Sequence, residues 1–176
     1  MIGRLRRSAL RVFGRLPTGV RRFIVRRVAP AWTAGAVAII ERDDGRWLMV
    51  KPVYRTGWSL PGGLIDRGEA PADAVVREFM EELGLQIRVE AEPWVVFDAK
   101  MRRIETVFRG ELVDDTDLDA ITIHTHELDD VGWFSPDDPP PIEQEALDVV
   151  AVIRQSGMGG TRVLDWRMTA TTSSAS

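Results

Sequence analysis

Residues 63–85 read GLIDRGEAPADAVVREFMEELGL. Its densest part is Arg77-Glu78-Phe79-Met80-Glu81-Glu82-Leu83-Gly84. On a helix, Glu78, Glu81 and Glu82 fall at i, i+3 and i+4, so three carboxylates share one face within one turn. Like charges at that spacing destabilise a bare helix. A hard divalent cation such as Mg²⁺ takes oxygen ligands and removes the repulsion, so the cluster reads as part of a metal site. The flanks agree with a helix. Pro71 suits a first helical turn, where a missing N–H costs nothing. Ala72, Val75, Val76, Phe79 and Leu83 make an apolar stripe opposite the acidic face. Gly84 is placed to end the helix as a left-handed cap. Upstream, Leu60-Pro61-Gly62-Gly63 reads as a turn whose glycines let backbone approach a ligand closely.

The stretch resembles the Nudix box, G-x5-E-x7-R-E-U-x-E-E-x-G-U with U apolar. Gly63, Glu69, Arg77, Glu78, Phe79, Glu81, Glu82, Gly84 and Leu85 match its nine fixed positions. That is far more specific than a lone glycine motif. The likeness extends outward to Trp32–Lys51, which resembles the family's first strands, and to Glu127–Phe134 (ELDDVGWF), which resembles its late Glu-to-Trp-Phe segment. It covers roughly residues 31 to 155.

The resemblance implies an α/β fold, an α/β/α sandwich with a mixed β-sheet. It also implies hydrolysis of a pyrophosphate bond in a nucleoside diphosphate linked to another group. Mg²⁺ is the implied cofactor, with Mn²⁺ as a substitute. Glu78 and Glu82, one turn apart, are the best ligand pair, with Glu81 the third. The family also uses a glycine carbonyl that maps to Gly62, and it pairs the arginine at Arg77 with the glutamate at Glu69, which gives Arg77 a positioning role. The general base is either a box glutamate, here Glu81, or an acid on a later loop, where Glu127 stands. A solvated loop charge is the plainer reading of Glu127. His124 and His126 alternate on an expected strand and share a face. Mg²⁺ prefers oxygen, so exposed polar residues are the simpler reading. Trp58 and Tyr54 are placed to stack on a base, or to pack. Arg55 and Lys51 are candidates for phosphate contact.

Composition bounds the rest. The chain has 176 residues and 44% hydrophobic content, enough for one domain with a core. There is no cysteine, which excludes disulfides, zinc–thiolate sites and a cysteine nucleophile. That composition fits a reducing cytosol, so a cytoplasmic location is expected. No apolar run approaches ~20 residues. The net charge of −4 conceals a split. Residues 1–30 carry nine arginines and no acid. The remainder has 14 basic and 27 acidic residues, or −13. The acidic body argues against nucleic-acid binding.

The expected organisation is a basic amphipathic helical extension over 1–30, a hydrolase domain over 31–168 and a disordered tail over 169–176. Ile2, Leu5, Ala9, Val12, Phe13 and Leu16, then Val20, Phe23, Ile24 and Val28, repeat at helical spacing on either side of Pro17-Thr18-Gly19. The extension has three readings: a dock on acidic protein surface that helps form a homodimer, a contact peripheral to a membrane surface, or a targeting peptide poor in serine. Strands are expected at Thr33–Ile40, Trp47–Val50, Ile87–Val89, Trp94–Ala99, Glu105–Leu112, Ala120–Thr125 and Gly132–Phe134, with an acidic loop at Asp114–Asp119 and a closing helix at Ile142–Arg154.

The substrate expectation is a nucleoside triphosphate, oxidised forms included, or a nucleotide sugar. Marks of other relatives are missing. The coenzyme A type's threonine-arginine motif and the NADH type's Ser-Gln-Pro-Trp motif are absent. Where the ADP-ribose type has a proline, this chain has Ala99, Lys100 and Met101. The dinucleotide type's tyrosine has no counterpart, since Tyr54 is the sole tyrosine. The rival functions are a non-catalytic nucleotide-binding sensor, which tends to lose box carboxylates that are all present here, and a module recruited to a membrane or partner through its basic N-terminus.

Overall fold

A computed structural model describes residues 11–113, 121–142, 150, 153 and 160–164. The chain divides into two compact units, Met1–Trp32 and Thr33–Ser176. In the first unit residues 11–15 are helical, and helix α1 spans Thr18–Val28. The Pro17 break expected from sequence falls between them. Residues 1–10 of the arginine-rich segment, the acidic loop at 114–119 and the tail at 169–176 lie outside the described residues.

The second unit is built on β1 (Thr33–Ile40), β2 (Trp47–Pro52), β3 (Gly62–Leu64), helix α2 (Pro71–Leu83), β4 (Ile87–Val89), β5 (Trp94–Asp98), β6 (Arg103–Leu112), β7 (Leu128–Phe134) and β8 (Gly160–Leu164). The main sheet runs β3-β1-β6-β5-β8, with β4 also paired to β6. It is mixed. β1 is parallel to β6, and β5 to β8. β3 pairs antiparallel with β1, and β4 and β5 pair antiparallel with β6. β2 and β7 form a separate antiparallel pair.

The near-continuous apolar run of β1 follows from burial on both faces, since alternate residues must each find an apolar layer. Ala36, Ala38 and Ile40 point to one layer. There they pack with Leu48 and Val50 of β2 and with Ala74, Val75, Phe79 and Leu83 of α2. Val37 and Ile39 point to the other, with Trp47, Leu60, Trp94, Val96, Val107, Val150 and Ile153. Val150 and Ile153 are helical, so helical residues cover both faces of the sheet. This is the α/β/α sandwich. Of the expected closing helix at 142–154, only these two positions are described as helical.

Two local expectations need correcting. Leu60–Gly63 is not wholly a turn, because Gly62 and Gly63 already form β3 and pair with Val37 and Ala36 of β1. The expected strand at 120–125 is absent from its described part. Residues 121–124 are irregular, because the His124 N–H is spent on the Glu82 carbonyl (2.8 Å) in place of a strand neighbour.

Phe79 is fully buried where α2 meets the sheet. Phe79→Ala should destabilise the protein by about 3–5 kcal/mol. Denaturant unfolding monitored by circular dichroism measures this directly. A loss below about 1 kcal/mol would show that α2 is not packed in this core.

Candidate active site

The site is made where β3 runs against the acidic face of α2. The helix starts at Pro71 and ends at Gly84, whose left-handed φ of 66° closes it with an N–H to the Met80 carbonyl. Those ends fix which residues face the sheet. Ala74, Val75, Phe79 and Leu83 are buried against it. Glu78 and Glu82, one turn apart, then lie along the β3 backbone. The strand has little room on either side. Gly62 has φ 134°, and a Cβ there would overlap the Ala36 carbonyl oxygen of β1. A Cβ on Gly63 would overlap the Glu78 carboxylate.

Arg77 organises the carboxylates. Its Nε donates to Glu69 Oε1 (2.9 Å) and its Nη2 to Glu69 Oε2 (3.1 Å), a bidentate fork. Nη1 donates to Glu78 Oε1 (3.0 Å) and Glu81 Oε2 (3.2 Å), and Nη2 also reaches the Leu64 carbonyl (3.2 Å). Glu69 receives the Asp66 N–H as well (2.9 Å). The Arg77 fork, and after it that N–H, hold the Glu69 carboxyl below the usual carboxylate range. One guanidinium thus ties the loop before α2, the helix and the end of β3 together.

Glu82 is in the opposite condition. Burial raises its carboxyl to about 7, and the nearby charges of Glu78, Glu127 and Glu81 push in the same direction. The Gly62 N–H, which it accepts, pulls the other way. Its Oε2 is buried and has no hydrogen-bond partner. Such an oxygen, ringed by carboxylates, is satisfied by a cation or by a proton. Among the described residues no three acidic or histidine side chains form a ready-made metal cluster. The reason is visible, since Arg77 draws Glu78 and Glu81 to itself. The donor set still fits a hard divalent cation, because all its side-chain donors are oxygens and one is left without a partner.

The structure brings Glu127 to this place. Its charge acts on Glu82, and main-chain bonds hold its segment. His124 N–H donates to the Glu82 carbonyl (2.8 Å), and Val53 N–H to the Glu127 carbonyl (2.9 Å). The His124 ring lies over Gly84, where a Cβ would overlap it. His124 and His126 are exposed and share no strand face. Tyr54 is exposed beside Val53, with the Arg55 guanidinium 5.7 Å from its ring centre. Lys51 is half-buried opposite Asp130 of β7. Trp58 packs edge-on to Phe134, with ring centroids 4.5 Å apart, and its backbone N–H donates to the Pro141 carbonyl (2.9 Å).

The sequence reading passed over a further charged pair. Glu105 of β6 is buried and ion-paired with Arg103. It stands beside Gly35, where a Cβ would overlap its carboxylate and come within 3.3 Å of the Gly63 carbonyl. The signal was Arg103 and Glu105 two residues apart on one face of a strand, with Gly35 opposite Glu105 in register.

With this geometry in place, the likenesses to known proteins can be set beside it. Residues 31–153 match the NUDIX domain family. A MutT-like protein of Streptomyces ambofaciens is 25% identical over 123 residues, covering 70% of this chain and 75% of that one. A putative 8-oxo-dGTP diphosphatase of Bacillus subtilis is 29% identical over 139 residues, covering 72% and 91%. Among solved structures, an ADP-ribose pyrophosphatase from Streptococcus suis superposes with a TM-score of 0.59 at 26% identity, covering 76% of this chain and all of that one. A family match over most of the chain and a site of box carboxylates gathered by one arginine agree, and the chain belongs to the NUDIX family of hydrolases that act on pyrophosphate bonds.

Proposed function

We propose that this hydrolase cleaves a nucleoside triphosphate, oxidised purine forms included, with Mg²⁺ held by Glu78, Glu82, Glu81 and the Gly62 carbonyl. The observation that carries the metal reading is the buried Glu82 Oε2, unpartnered and crowded by three other carboxylates. Bound there, a divalent cation neutralises pyrophosphate oxygens and lowers the pKa of an attacking water. Mn²⁺ has the same oxygen preference and is expected to substitute.

The protein's own groups do the rest. Arg77 and Glu69 hold α2 and the β3 backbone in register, so that Glu78 and Glu82 face the same side. Glu127 is the proposed base. It takes a proton from the water as the new oxygen–phosphorus bond forms and the bridging oxygen departs on the leaving phosphate. Glu81, the most exposed of the three helix glutamates at 60% of its side chain, is the alternative base. Tyr54, Arg55, Lys51 and Trp58 are proposed as the substrate side, with Tyr54 and Arg55 joined to the Glu127 segment through Val53. The B. subtilis relative supports the triphosphate reading. The S. suis structure supports a second one, a nucleotide joined to a sugar. A steady-state screen with Mg²⁺ and Mn²⁺ across triphosphates, oxidised triphosphates and nucleotide sugars separates them. A preference for nucleotide sugars overturns the first reading.

Glu82→Gln should leave the fold intact and lower kcat by about a hundredfold or more, since an amide cannot neutralise the cation. Turnover at the wild-type rate would overturn the metal assignment.

Arg77→Lys keeps the charge and loses the planar fork, so it cannot hold Glu69, Glu78 and Glu81 at once. The expected loss in kcat is about tenfold to a hundredfold, with Mg²⁺ affinity measured by calorimetry little changed. An unaltered kcat would remove the positioning role.

Glu82 binds its proton more tightly folded, at about 7, than at its ordinary 4.5. Its contribution is therefore present at acid pH and is lost as pH rises through 7. In chelator, the fall in melting temperature between pH 4.5 and about pH 7 should vanish in Glu82→Gln. Glu69, held low, acts separately and only in acid, below its ordinary 4.5.

A further inference from the structure

The proposed chemistry makes no use of the first unit. Helix α1, Thr18–Val28, carries Arg21, Arg22, Arg26 and Arg27 and no acid. The first acidic residue of the whole chain is Glu41. Val20, Phe23, Ile24 and Val28 fall at positions that share one helical face, with the long stem of Arg27 among them. Of these, Val20, Phe23 and Val28 are 43%, 66% and 75% exposed, and Trp32, just past the helix, is exposed too. Solvated apolar side chains in a row mark a face that is used.

We infer that α1 lies along an anionic lipid surface, with Phe23 and its neighbours in the acyl boundary and the arginines at the phosphates. Three features favour lipid over a protein partner. First, the polar residues of α1 are arginines and one threonine, with no acid among them, which suits an array of phosphates. Second, the apolar face is aliphatic with one phenylalanine, and a tryptophan follows at the end, where an amphipathic ring sits at headgroup level. Third, α1 has 11 residues, and among the described residues no helix is long and apolar enough to cross a membrane. A basic helix with one apolar face and no spanning length lies on a bilayer. Arginine stems also add apolar cover while their heads stay wet.

The test uses the full chain with vesicles of phosphatidylcholine alone and with phosphatidylglycerol added, at about 0.05 M and about 0.5 M salt. The protein should sediment with the anionic vesicles and remain in solution with the neutral ones. Phe23→Asp should lower the partition coefficient by about tenfold or more. Phe23 is exposed, so the variant's circular dichroism should match the wild type. Failure to sediment with anionic vesicles at low salt overturns the inference. Sedimentation unaffected by Phe23→Asp also overturns it, because it would reduce the contact to bulk charge. Analytical ultracentrifugation supplies the rival outcome. A dimer that Phe23→Asp dissociates assigns this face to a second, acidic copy of the chain and removes the membrane. None of these readouts depends on which pyrophosphate the enzyme cleaves.

Discussion

The closeness of β3 to α2 is the constraint on which the site depends. Two carboxylates one turn apart must lie against a strand whose own backbone is already pressed onto β1. Glycines line the gap, since a Cβ on Gly62 would meet the Ala36 carbonyl of β1 and one on Gly63 the Glu78 carboxylate. Everything nearby follows from keeping this gap. Phe79 and Val75 fix the helix on the sheet from below. Arg77 clamps it from the side through Glu69 and the Leu64 carbonyl. Glu82 accepts the Gly62 N–H across the seam. The strand and the helix are therefore parts of one ligand cradle, and neither presents it alone.

Electrostatics in this cradle is divided by a simple rule. Glu69, in the fork of the guanidinium, keeps its charge. Glu82, out of its reach and more buried, is pushed towards neutrality. Two glutamates thirteen residues apart in sequence thus have opposite chemistry because one arginine is shared unevenly. A nucleotide hydrolase gains from this arrangement, because the oxygen left unsatisfied is the one best placed to reward a cation.

Much of this was written in the sequence, and what was missed has physical causes. The helix from Pro71 to the left-handed Gly84 was legible, because stripe, start and cap all agree over 13 residues. The Arg77–Glu69 pair came from the family likeness and is seen directly as a bidentate fork. β3 was read as a turn, since three residues with two glycines have no strand propensity and pair only because β1 offers an edge. Residues 121–124 alternate like a strand, yet their main chain is drawn to the end of α2, a tertiary bond that no local pattern encodes. Glu105 escapes a sequence reading because β6 also carries Arg103, Arg109 and Glu111, and no local pattern tells the buried charge from the others until its ion pair with Arg103 is known.

The main-chain anchors around the Glu127 segment have a consequence for how such a protein can vary. Val113 is fastened to Gln86, His124 to Glu82 and Val53 to Glu127, each through backbone atoms alone. Side-chain identity is irrelevant to these fastenings, and the chain between Val113 and His124 is bracketed by two of them. Substitutions at these positions can change a side chain without loosening what the main chain holds. The architecture thereby lets sequence drift around the site while backbone bonds keep the Glu127 segment tied to its neighbours.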